Sequence, residues 1–176
     1  MNILVAEDLE EKKKLVVEFL QKKYLNAKIH CAANRRETFS MLKERDFYCV
    51  ILDFAMPDFE DSISINPIAG KDIIDEINFC EYDYPVIVIT QYYEFNLDTN
   101  NEFKANDNVL FINENYRQGK DVEIYDAYTI NNLPELHSFL SLRYNNYVGA
   151  IFYSSLSNEW ENALDKLLDL VSVAEL

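Results

Sequence analysis

A chain of 176 residues suits one domain with a substantial core, and its 31 acidic against 16 basic residues leave a formal charge of −15. That charge argues against a reader of phosphate backbones, because the only basic runs, Lys12-Lys13-Lys14 and Lys22-Lys23, fall inside one acidic, helix-periodic stretch. Apolar residues make up 49% and aromatics 14%, the balance of a folded protein rather than of a solvating acidic tail. The three glycines, Gly70, Gly119 and Gly149, lie far apart, so neither a P-loop nor a dinucleotide fingerprint can form. Cys31, Cys49 and Cys80 form no CxxC pair, and the N-terminus lacks a basic segment followed by a long apolar one. A reduced, cytoplasmic protein is expected. No apolar run approaches the ~20 residues of a membrane helix, so no membrane contact is expected.

In chain order, Ile3-Leu4-Val5-Ala6 predicts a strand ended by Glu7-Asp8, and Leu9 to Tyr24 predicts a helix carrying Leu15, Val16, Phe19 and Leu20. Asp8-Leu9-Glu10-Glu11 fits an N-cap acid with a Glu three residues on. Ala27 to Cys31 predicts a second strand, Asn34 to Glu44 a second helix, and Tyr48 to Leu52 a buried strand closed by Asp53. Residues 58 to 69 show neither period and predict a loop, whereas Gly70 to Phe79 spaces Ile73, Ile74 and Ile77 on a helix face. Pro85 to Ile89 is the clearest strand, followed at once by Thr90. Residues 91 to 131 are polar, Asn-rich and aromatic around Val109 to Ile112; so long an insertion is expected to contain some regular structure. Leu133 to Tyr144 predicts a helix, Val148 to Tyr153 a fifth strand, and Asn158 to Val173 a last helix with Trp160, Leu164, Leu167, Leu168 and Val171 inward.

Strands that read as continuous apolar runs and alternate with helices indicate an α/β fold, a parallel sheet covered on both faces. Ligands of such sheets bind at the carboxyl ends of the strands. Those ends read Glu7-Asp8, Asp53 and Thr90. Carboxylates gathered there repel one another unless a cation sits among them, and a hard divalent ion such as Mg2+ takes oxygen ligands, here Asp8, Asp53 and a backbone carbonyl. Asp53 is then a candidate nucleophile toward a phosphoryl group, with the Thr90 hydroxyl orienting the transferred oxygens.

These residues carry a resemblance. ILVAED, VILDFAMPD, GKDIIDEI, PVIVIT and GAIFYS, in that order, are similar to the receiver domain of bacterial response regulators over essentially the whole chain except residues 59–69 and 91–131. The resemblance implies a single receiver-like domain with insertions at about 58–69 and 91–131. Its fold would be a flavodoxin-like, doubly wound five-stranded parallel sheet of order 2-1-3-4-5, flanked by helices on both faces. It further implies Asp53 as phospho-acceptor, Glu7 and Asp8 as the acidic pair, and Mg2+ held by Glu7, Asp8, Asp53 and the main-chain carbonyl of Ala55. Thr90 would be the switch hydroxyl, Tyr153 the switch aromatic, and Met56-Pro57 a turn beside the site. The only chemistry would be phosphorylation and dephosphorylation at Asp53, not turnover of a separate substrate. A histidine kinase or other phosphodonor protein would be one partner, and a downstream protein or second copy would read about Leu133 to Val173. With the sequence ending at Leu176, the signal is expected to pass by contact.

One departure stands out. The family places a lysine three residues after the fifth-strand aromatic; here that position is Leu156, within Ser154-Ser155-Leu156-Ser157. The lost ammonium would have paired with the aspartate and then the phosphoryl group. Ser155, or Lys104, Arg117 or Lys120 from the insertion, are the candidate substitutes, and Gln91 stands where a small residue is usual. The departure gives weight to an alternative: a degenerate receiver that binds partners without phosphorylation. Other readings are simpler still. Asp8 alone is explained by capping, Tyr153 and Trp160 by packing, His30 and His137 as packing or surface residues, and Lys12 to Lys14 as a solvated helix face. A dehalogenase-type phosphatase needs a second aspartate where Ala55 stands, and a metal-dependent nuclease needs more acids and a less acidic surface. The aromatics Tyr92, Tyr93, Phe95, Phe103 and Phe111 of the insertion are candidates for partner specificity.

Overall fold

A computed structural model describes residues 1–92, 109–117 and 130–173, and the chain divides into two compact units, Met1–Val88 and Ile89–Leu176. In the first unit, β1 (Asn2–Ala6) lies between β2 (Lys28–Ala32) and β3 (Cys49–Leu52), parallel to both. β6 (Val86–Thr90), whose last two residues belong to the second unit, pairs parallel to β3 through Val50↔Val86, Ile51↔Ile87 and Leu52↔Val88. The first four expected strands therefore stand in the expected order, 2-1-3-4. β1, β3 and β6 are buried nearly throughout, as continuous apolar runs require of strands covered on both faces.

Helices α1 (Glu10–Lys23), α2 (Arg35–Glu44) and α3 (Ala69–Phe79) complete this unit. α2 starts where the sequence places it, because Asn34 accepts the Glu37 N–H at 2.9 Å while Glu37 accepts the Ala33 N–H at 2.8 Å, a reciprocal cap. α1 does not. Its N-cap is Leu9, with no side-chain cap, so the expected Asp8 capping box is corrected; instead Glu7 Oε1 accepts the Leu9 N–H at 3.0 Å.

The segment expected as a turn at Met56-Pro57 is a short strand, β4, paired antiparallel with β5 (Ile65–Asn66) inside the expected loop. Arg35 fastens this hairpin, reaching Asp58 at 2.8 Å and Asp72 of α3 at 2.5 Å. Gly70 allows α3 to start against the chain just after Asp53: its N–H donates to Phe54 O at 2.9 Å, and a Cβ there would lie 2.8 Å from Phe54 Cα.

In the second unit, β7 (Leu110–Ile112) falls inside the expected insertion and runs antiparallel to β8 (Tyr147–Phe152), an addition to the all-parallel reading. α4 (Leu133–Arg143) and α5 (Glu159–Val173) pack on β8. The α5 stripe Trp160, Leu164, Leu167, Leu168 and Val171 is buried as the spacing predicts. Gly149 admits the close stacking of β7, β8 and α5, since a Cβ there would sit 2.3 Å from Phe111 O. All three cysteines are free, and among the described residues no helix is long and apolar enough to cross a membrane.

Candidate functional site

Parallel pairing of β1 with β3 sets the site. Ala6 is in register with Leu52, the Asp53 N–H donates to Ala6 O at 2.8 Å, and the Glu7 N–H donates to Ala32 O at 2.9 Å. The residues one step past each strand thus emerge side by side. Glu7, Asp8 and Asp53 bring carboxylate oxygens within 4.8 Å of one another; Glu7 and Asp53 are buried and Asp8 half-buried. The Ala55 N–H donates to Asp53 Oδ1 at 3.3 Å, which fixes that carboxylate from the chain that follows it.

Like charges this close, out of water, need a counter-charge. The structure supplies one in Lys12, a residue expected on a solvated helix face. Lys12 is 2% exposed, and its Nζ lies 2.5 Å from Glu7 Oε2 and 2.8 Å from Asp53 Oδ2. Of the run only Lys14 fits the expected solvated face; the Lys13 side chain is half-buried and pairs with exposed Glu10. The signal for Lys12 was present in the spacing. The buried residues of α1 are Lys12, Val16 and Leu20, one stripe at intervals of four, and extending the apolar stripe back one turn lands on Lys12.

The electrostatics follow from burial. Glu7 is raised to about 8, first by desolvation and then by the charge of Asp53, against the opposing pull of Lys12. Asp8 is raised above its ordinary value by partial burial and by Asp53. Desolvation works against the Lys12 ammonium, yet the charges of Asp53 and Glu7 outweigh it and hold Lys12 above its ordinary value.

The donor set suits a hard divalent cation: three side chains offer carboxylate oxygens at close range and no soft ligand is among them. The residues fit Mg2+, with the qualification that Lys12 already matches one oxygen each of Glu7 and Asp53.

Thr90 and Tyr153 belong to the second unit, where they adjoin: the Tyr153 N–H donates to Thr90 O at 2.8 Å. Thr90 is fully buried and its Oγ1 accepts the Tyr92 N–H at 3.2 Å, while the Tyr153 ring packs 5.6 Å from that of Trp160. Leu156, in the place of the family's lysine, is 96% exposed, and Ser155 is exposed beside it. Lys104, Lys120, Tyr93, Phe95 and Phe103 lie outside the described residues. Arg117 is described, with its N–H on Asn145 O at 3.2 Å and its guanidinium over the Tyr116 ring, and Phe111 packs on His137. His137 Nδ1 meets the Tyr147 hydroxyl at 3.0 Å, and His30 packs on Phe47, so both histidines are structural.

No family model matches the chain, and no curated protein matches it significantly. Solved structures similar to it include the response regulator protein TrrA from Thermotoga maritima in complex with Mg(2+)-BeF, 28% identical, covering 55% of this chain and 75% of that one, at a TM-score of 0.44. A CheY-like receiver domain protein from Methanospirillum hungatei JF-1 is 18% identical, with 52% and 64% covered and a TM-score of 0.42. The receiver domain of a DNA-binding response regulator from Colwellia psychrerythraea 34H is 25% identical, with 51% and 68% covered and a TM-score of 0.43.

Proposed function

We propose that this chain is a receiver-type signalling domain in which Asp53 accepts a phosphoryl group from a histidine kinase or another phosphodonor. The observation that carries the proposal is the convergence of Glu7, Asp8 and Asp53 at the carboxyl ends of two adjacent parallel strands, where an α/β sheet binds its ligands. An oxygen of Asp53 forms the new P–O bond as the bond from phosphorus to the donor breaks, and the donor leaves with that bond's electrons. Asp53 is held for this by the Ala6 carbonyl at its N–H and by the Ala55 N–H at Oδ1. Glu7, Asp8 and Asp53, with the Ala55 carbonyl, are the residues that would hold Mg2+, which when bound supplies neutralisation of the phosphoryl oxygens. Thr90 and Tyr153 are proposed to relay the change, and the surface from about Leu133 to Val173 to present it to a partner protein or a second copy, in the cytoplasm. Chemistry at Asp53 alone, without turnover of another substrate, is part of the proposal.

A second reading is favoured by one observation. Asp53 is 1% exposed and paired with Lys12, a state that suits a module signalling by contact without phosphorylation. Incubation with acetyl phosphate and Mg2+, followed by intact mass, separates the two. One added phosphoryl group in the wild type and none in Asp53→Asn is expected; no adduct in either leaves the contact module.

A further inference from the structure

We infer that Lys12 is the cluster's resident cation and competes with a divalent ion for the same carboxylate oxygens, so that metal binding requires the ammonium to leave. The inference rests on the reading that Glu7, Asp8 and Asp53 take a divalent cation, and it adds the residue that sets how tightly.

Three observations meet. Lys12 lies on the buried stripe of α1 with Val16 and Leu20, so helix packing delivers its side chain inward. Its Nζ is within 2.8 Å of one oxygen from each of the two buried carboxylates, Glu7 and Asp53. Those two residues and half-buried Asp8 provide all the side-chain oxygens of the candidate metal cluster. An ammonium and a divalent ion drawing on the same buried oxygens would stand a few ångströms apart where water screens little, and two cations so placed repel strongly. The cluster therefore holds one or the other.

The ammonium sits on a flexible stem: Lys12 is in the first turn of α1, and its four-carbon side chain has the rotatable bonds that departure of the charge would require. Two consequences follow. The metal-free protein is stabilised because its two buried acids, Glu7 and Asp53, already face an ammonium, and metal affinity is lower than three clustered carboxylates alone would give.

Mn2+ binding by calorimetry and the melting temperature with and without Mn2+, on the wild type, Lys12→Met and Asp53→Asn, test this. Methionine keeps the length of the stem and removes the charge. Lys12→Met is expected to bind Mn2+ about tenfold more tightly than the wild type or better, and to gain more melting temperature from the ion. Asp53→Asn should lose binding. Equal affinity in the wild type and Lys12→Met overturns the role of Lys12 and leaves the metal reading standing. A folded Lys12→Met that binds no Mn2+ overturns both. Should Lys12→Met be unfolded in chelator, refolding on addition of Mn2+ supports the inference. If it stays unfolded with the ion, Lys12→Met/Glu7→Gln is compared with Glu7→Gln: tighter binding by the double variant supports the competition, and equal binding overturns it.

Discussion

The strand ends of the two units solve different problems. At the ends of β1 and β3, chain geometry forces acids together in a buried place, and the fold answers with an equally buried ammonium. At the ends of β6 and β8, the contacts described are between neutral groups: a threonine hydroxyl that accepts a backbone N–H and a tyrosine ring tilted against a tryptophan. The first arrangement is strong only as a set, because removing one member strands the others in low dielectric, whereas the second loses little more than the contact removed. On this account, high mutational sensitivity and exchange of the ammonium for a divalent ion would both come from the same feature, a buried charge balance.

The largest effect should follow from breaking that balance. Lys12→Ala is expected to destabilise the metal-free protein by about 3 to 5 kcal/mol, the usual penalty for orphaning buried partners, as read by urea denaturation in chelator. On the other side of the comparison, Thr90→Val keeps the shape and removes one acceptor from the Tyr92 N–H, for about 1 kcal/mol. Equal effects of the two changes would erase the distinction.

The pH response sharpens it further, since the two units should respond in opposite senses. Glu7 is raised in the folded protein from 4.5 to about 8, so between those values the folded state binds more protons than the unfolded one. Its contribution is intact below about pH 4.5 and is lost as pH rises through 8. His137 is lowered from 6.5 by burial, so the unfolded chain binds more protons just below that pH and stability is lost on acidification. Melting temperatures against pH are expected to show a flatter alkaline limb in Glu7→Gln and a flatter acid limb in His137→Gln. The smallest effect is expected at Leu156: fully solvated, its replacement by Lys should change stability by no more than about 0.5 kcal/mol.

Much of this was legible in the sequence because buried strands and helix stripes are periodic signals. The strand expected at Pro85 to Ile89, the helix expected from Asn34 to Glu44 and the α5 stripe need no knowledge of distant residues, and the carboxyl-end acids follow once the strands are placed. The misreadings have physical causes. Asp8 has the chemistry of an N-cap, but Glu7 turns its carboxylate to the Leu9 N–H and the helix starts without a side-chain cap. The β4–β5 hairpin has two-residue strands, too short to show a period, and is fastened by Arg35 from a distant helix. Lys12 was hidden by composition: within three consecutive lysines, charge argues for water, while its position on the Val16–Leu20 stripe argues for the interior. Position prevailed because two acids wait there.

The central claim, that Asp53 is the acceptor in an acidic nook built by β1 and β3, is tested most directly by locating the phosphoryl group. Protein treated with acetyl phosphate and Mg2+ is reduced with borohydride, which converts an acyl phosphate on aspartate to homoserine, and the peptides are sequenced by mass. The account predicts homoserine at position 53 in the wild type and none in Asp53→Asn. Homoserine at another aspartate, or equal labelling of Asp53→Asn, would contradict it.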